Sequence, residues 1–145
     1  MGKRERDYGA ALIAAPVVCL TYYLCCTTDT PGIESLFDKK QILLWGVIIF
    51  PLVEELAFRG VIQEFIAAKT KRLHLLGSLS AANILTSLLF AALHLVYHQA
   101  FWIILVFIPS LVFGYFKEQY QGILPSIILH AFYNLNFILF VGSLR

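Results

Sequence analysis

The chain has 145 residues, of which 59% are hydrophobic and only 14% charged, with a formal net charge of +2. Soluble domains run at about 45–50% apolar and about 25% charged, and a water-soluble fold of this size has too little interior to hide such a surplus of apolar surface. The composition therefore excludes an ordinary soluble domain and points to an all-α integral membrane protein.

Five segments are long enough to cross a hydrocarbon core about 30 Å thick, at about 8–27, 41–68, 78–97, 101–117 and 123–144. The first follows a basic start, as a signal peptide does. It is longer than a signal sequence, and Leu24-Cys25-Cys26-Thr27 offers no small-x-small cleavage site, so a retained span is expected. Its three cysteines, Cys19, Cys25 and Cys26, read as small apolar fillers. Thr28-Asp29-Thr30-Pro31-Gly32 breaks this helix, and 34–40 is a weakly amphipathic segment suited to the membrane interface. Residues 1–40 thus form a first span with an interfacial loop, and 41–145 a helical core.

The link at 97–100 is short enough to make spans three and four an antiparallel pair. Lys3, Arg4, Arg6, Lys69, Lys71, Arg72 and Lys117 fall on one side of such a topology, against Lys39, Lys40 and Arg145 on the other. Basic residues accumulate on the cytoplasmic side, so the N-terminus is expected inside and the C-terminus outside. No nucleic-acid motif, phosphate-binding glycine loop or internal repeat is visible.

Three of the spans carry polar residues that cost about 2.5–3.5 kcal/mol each when charged at a bilayer centre, and such residues face an interior and carry function. The second span contains Glu54, Glu55 and Arg59. Glu55 and Arg59 are four apart in acid-before-base order and can pair on one helix face. Glu54 points about 100° away and has no Lys or Arg one turn from it. A carboxyl group in a poorly solvated cavity is tuned toward the range useful to a general base. Pro51, one turn upstream, removes a helix hydrogen bond and predicts a kink beside the carboxylate; Gly60 predicts a close helix approach.

The third span ends on Phe90-Ala91-Ala92-Leu93-His94, with His98 one turn on. A histidine at a span's end is either interfacial or catalytic. His94 and His98 also share the spacing of a two-histidine metal site, without an acidic residue between them. The fifth span carries His130 and Asn134, again four apart, either as interhelical polar contacts or as donors to a developing oxyanion. At about 1.5 Å of rise per residue, Glu54, His94, His130 and Asn134 lie roughly 10–24 Å from the cytoplasmic ends of their helices, depths that permit them to meet inside a bundle.

Glu54-Glu55 with Arg59, then Phe90 with His94, then His130 with Asn134, in this order on successive apolar segments, resembles the CPBP intramembrane proteases (CAAX protease and bacteriocin-processing, also called Abi). The resemblance covers about residues 41–142, in a compact version of the family. It implies an endopeptidase cutting near the C-terminal or membrane-embedded end of a membrane-anchored or lipidated substrate, as in CAAX, bacteriocin or sorting-signal processing. It further implies that Glu54 and His94 activate the attacking water, that His130 and Asn134 stabilise the oxyanion, and that Glu55 with Arg59 braces the helix.

A glutamate mechanism without a cofactor is favoured. The alternative is a zinc site on Glu54, His94 and His130, and a partner subunit that completes the cavity is a further option. The compact form suggests a bacterial inner membrane. Two other classes are a non-enzymatic immunity or scaffold protein that keeps the fold, and a proton-coupled transporter; no inverted repeat supports the latter.

Overall fold

The computed structural model describes residues 2–26, 40–96 and 102–140. The breaker at 28–32, the interfacial segment up to 39, the link at 97–100 with His98, and Arg145 lie outside the described residues. The described residues form five helical stretches: α1 Lys3–Cys26, α2 Lys40–Lys69, α3 Ala81–Leu95, α4 Trp102–Tyr120 and α5 Leu124–Phe140. They coincide with the five expected segments. Of these, α1 and α2 are long and apolar enough to cross a membrane, while α3 and α5 are shorter apolar helices of 15 and 17 residues. A two-stranded antiparallel hairpin, β1 His74–Leu76 with β2 Leu79–Ser80, joins α2 to α3.

The chain forms two compact units, one from residues 1–52 and 128–145, the other from 53–127. In the first unit, α1 exposes Ile13, Val17, Val18 and Leu24 along its length. Cys19 is half-buried and Cys25 exposed, and neither is disulfide-bonded. Tyr133 of α5 donates its hydroxyl to the Ala11 carbonyl of α1 at 2.9 Å. Asn134 Nδ2 donates to the Gly46 carbonyl of α2 at 2.8 Å. Gly46 makes room for that approach: a Cβ there would sit 3.2 Å from Ile138 Cδ1 of α5, close enough that the isoleucine would have to give by a few tenths of an ångström.

In the second unit the usual arrangement of side chains is inverted. Glu55, Arg59, Gln63, Asn83, Thr86, Ser87 and Ser110 are all fully buried, while Val53, Leu56, Val61, Leu88, Leu89 and Leu93 on the same helices face outward. Water would favour the reverse, and a lipid surround favours this pattern because apolar side chains there cost nothing to expose while polar groups must find partners inside. Helices α3 and α4 meet through Asn83, whose Nδ2 donates to the Leu111 carbonyl at 2.9 Å. Gly114 makes that contact possible, since a Cβ would lie 2.6 Å from Asn83 Cγ. A small residue at this position lets the two backbones close in. Gly60 is not such a position: a Cβ there would meet nothing nearer than the Glu55 carbonyl oxygen at 4.0 Å, so the close approaches fall at Gly46 and Gly114 instead.

Helix α2 is not regular. Its turns widen to the i→i+5 pattern at Leu44–Ile49 and again at Leu56–Ile62, on either side of the α-helical Phe50–Glu55. The disturbance predicted at Pro51 takes this form. The first wide segment ends where Phe50 N–H reaches back to the Trp45 carbonyl, and Pro51 follows without a donor of its own.

The α2–α3 connection closes a polar cluster at one end of the second unit. Ser80 caps α3 by accepting from the Asn83 N–H at 3.0 Å and donates its hydroxyl to Glu118. Glu118 also accepts from Gln63 Nε2 at 2.8 Å, while Glu64 pairs with Lys117 and with Arg72 at 3.2 Å. Replacing Gly114 by Val should therefore overpack the α3–α4 contact at a cost of about 1–3 kcal/mol. This is read as a lower thermal midpoint of the purified protein in detergent; an unaltered midpoint would show that the helices do not depend on this approach.

Candidate active site

The acidic motif occupies the stretch of α2 where the α-helical segment passes into the second wide one. Glu55 and Arg59 pair as their spacing predicts, with Arg59 Nε 3.3 Å from Glu55 Oε2 and both side chains wholly buried. The pair does not stand alone. Arg59 Nη2 donates to the Ser110 hydroxyl at 2.7 Å and to the Ser110 carbonyl at 3.0 Å, tying α2 to α4. One turn further along α2, Gln63 Nε2 donates to the Gly114 carbonyl at 3.3 Å. Glu54, the residue before this buried pair, is half-buried.

The histidine motif enters the same unit through Phe90. Its ring lies 4.5 Å from the His94 ring, centroid to centroid, and meets the Phe58 ring edge-on at 4.8 Å. The Arg59 guanidinium carbon sits 5.7 Å from the Phe90 centroid, within reach of a cation–π contact. Phe90 thus joins the acidic motif on α2 to His94 on α3. The Phe90 backbone acts as well, since His94 Nδ1 lies 2.9 Å from the Phe90 carbonyl. A carbonyl only accepts, so Nδ1 carries the proton in that bond and the neutral ring holds its lone pair on Nε2. The backbone carbonyl one turn back thus orients the imidazole, and the Phe90 ring packs against its face.

His130 and Asn134 belong to the other unit. His130 is buried and Asn134 half-buried, one turn apart on α5. The Asn134 amide is oriented by the Gly46 carbonyl, which requires its nitrogen; the group has two N–H donors and this bond uses one. Within each unit, no three His, Cys, Asp or Glu side chains of the described residues gather as a metal-binding group.

Four residues with a part in this arrangement were not among those singled out from the sequence: Ser110, Gln63, Phe58 and Gly46. Ser110 carried a usable signal, being a hydroxyl beside Pro109 in an apolar span with Gly114 four residues on. Gln63, one turn beyond Arg59 on the same helix, carried another.

A sequence model of the family described as type II CAAX prenyl endopeptidase Rce1-like matches residues 39–136. Comparison with curated proteins and with solved structures gives no match. The matched stretch contains Glu54, Glu55, Arg59, Phe90, His94, His130 and Asn134, the residues on which the resemblance to CPBP proteases stands. The family is one of membrane-embedded proteases acting on membrane-anchored prenylated proteins. With well over half of its length matched, the chain belongs to the type II CAAX prenyl endopeptidase Rce1-like family.

Proposed function

We propose that the chain is an intramembrane endopeptidase that hydrolyses one peptide bond near the C-terminal or membrane-embedded end of a lipidated or transmembrane protein tail, with Glu54 as general base. Its catalytic core is residues 41–145, its five helices all span the bilayer with the N-terminus in the cytoplasm, and its home is a bacterial inner membrane. At about 1.5 Å per residue, α3 rises only about 23 Å, so the bilayer thins slightly around it. The Phe90 contact carries the proposal: one aromatic ring touches both Arg59 of the acidic motif and His94 of the histidine motif, inside the family-matched stretch.

In the proposed reaction, Glu54 takes a proton from a water molecule that His94 helps to hold through Nε2. The water oxygen adds to the scissile carbonyl carbon, and the negative charge that develops on the carbonyl oxygen is met by hydrogen bonds from His130 and Asn134. Collapse of the tetrahedral species breaks the C–N bond, and Glu54 returns the proton to the departing amine. Glu55 and Arg59 take no part in the bond changes; their pairing and the Ser110 contact fix the helix that carries Glu54.

A metal-free mechanism is favoured because two oxyanion donors supply what a Lewis acid otherwise would. His94 also fits a zinc ligand, since a carbonyl-oriented imidazole presents Nε2 in the same way, and Glu54, His94 and His130 would then be the ligands. In that case the zinc would supply an acidified water.

Processing of a prenylated or transmembrane tail by the purified, reconstituted protein tests the assignment. Glu54→Gln should lower kcat by about 100-fold or more with little change in KM, the loss typical of a missing general base. Wild-type rates in both Glu54→Gln and His94→Ala would remove the catalytic assignment and favour an immunity or scaffold role. Activity should also survive exhaustive chelation. A loss that added zinc restores would turn the three named residues into ligands.

A further inference from the structure

Asn134 is held by a carbonyl that the chain itself has deprived of its helical donor. The wide turns at Leu44–Ile49 follow the i→i+5 pattern, and the bond that closes them runs from Phe50 N–H to the Trp45 carbonyl. The next bond in that register would run from residue 51 to the Gly46 carbonyl. Residue 51 is proline and has no N–H. The Gly46 carbonyl instead receives Asn134 Nδ2 at 2.8 Å, from a helix 88 residues away in sequence. An orphaned carbonyl in a lipid-embedded unit is expensive to leave unmet, so the amide is drawn to it. Glycine at 46 completes the arrangement, since a Cβ there would press on Ile138 Cδ1 one turn beyond Asn134.

We propose that Pro51 and Gly46 are positioning residues for Asn134: the proline exposes the Gly46 carbonyl, and the carbonyl fixes the asparagine amide. One N–H of the amide is anchored, and the direction of the second is thereby set. The catalytic consequence rests on the reading of Asn134 as an oxyanion donor; the anchor itself does not. Pro51 thus acts on the reaction from a site that touches neither substrate nor water.

A double-mutant cycle on Pro51→Ala and Asn134→Ala tests this with two separate readouts. The first is thermal stability in detergent. Asn134→Ala should lower the midpoint in the wild-type background by about 3 °C or more. The drop should be less than half as large in Pro51→Ala, where the substituted residue brings an N–H that can satisfy Gly46 from within the helix. Equal losses in the two backgrounds would overturn the proposal. If Asn134→Ala does not fold, Asn134→Leu, which keeps the branched outline and the number of heavy atoms, replaces it in the cycle.

The second readout is tail cleavage. Pro51→Ala should reduce kcat by about tenfold, less than the roughly 100-fold loss expected for removing an oxyanion donor, with KM retained. It should cost nothing further once residue 134 has lost its amide. Losses that multiply would mean that Pro51 acts on Glu54 instead and would sink the proposal. An inactive wild-type protein that still shows the stability coupling would overturn the protease reading and leave the anchor standing.

Discussion

The second unit is organised around a guanidinium that water cannot reach. Arg59 has no exposed surface, so its charge must be answered entirely by protein, and removing one member of a buried ion pair leaves an uncompensated charge worth about 3–5 kcal/mol. Three helices share the task. Glu55 supplies the opposite charge from the same helix, Ser110 supplies a hydroxyl and a carbonyl from α4, and Phe90 supplies a π-face from α3. Because these partners have fixed directions, satisfying the charge also fixes the register of the helices. Glu54 and His94 inherit their places from that register.

The same helices are tied again at the hairpin end, where Gln63, Glu64, Lys117, Glu118 and Ser80 interlock. Ser80 works in two directions there, starting α3 as its cap and docking that start on α4 through Glu118. Helix α3 is therefore held at its first residue by Ser80 and near its last by Phe90. A histidine at position 94 on a helix anchored at both points has little freedom to drift.

What could be read in the sequence was whatever depended on spacing along one helix. The positions of all five helices, the Glu55–Arg59 pair and the shared face of Phe90 with His94 follow from apolar length and a separation of four. Contacts between helices did not follow. Nothing in the string 109–114 announces that Ser110 faces Arg59, because that depends on how two backbones cross. The close approach expected at Gly60 falls at Gly46 and Gly114 for the same reason: a glycine signals room for an approach without saying which neighbour uses it. The wide turns of α2 were legible only as an expected kink, since Pro51 dictates the loss of a donor but not how the helix absorbs it. The hairpin at His74–Ser80 could have been found. Its Gly77-Ser78 turn between leucines is a recognised hairpin signal, and Gly77 adopts the left-handed φ of 57° that such turns require. Lys117, weighed as a loop cation in assigning orientation, proves to be buried within α4 and paired with Glu64, so it bears on topology less than an exposed lysine would.

The pairing of Glu55 with Arg59 inside a single turn has a bearing on biogenesis. The Ser110 that accepts the arginine's Nη2 hydrogen bonds is synthesised 51 residues later, whereas the carboxylate emerges from the ribosome only four residues before the guanidinium. The helix can thus leave the translocation channel with its two most costly charges already cancelled, and wait for α4 without stranding a bare ion in the lipid.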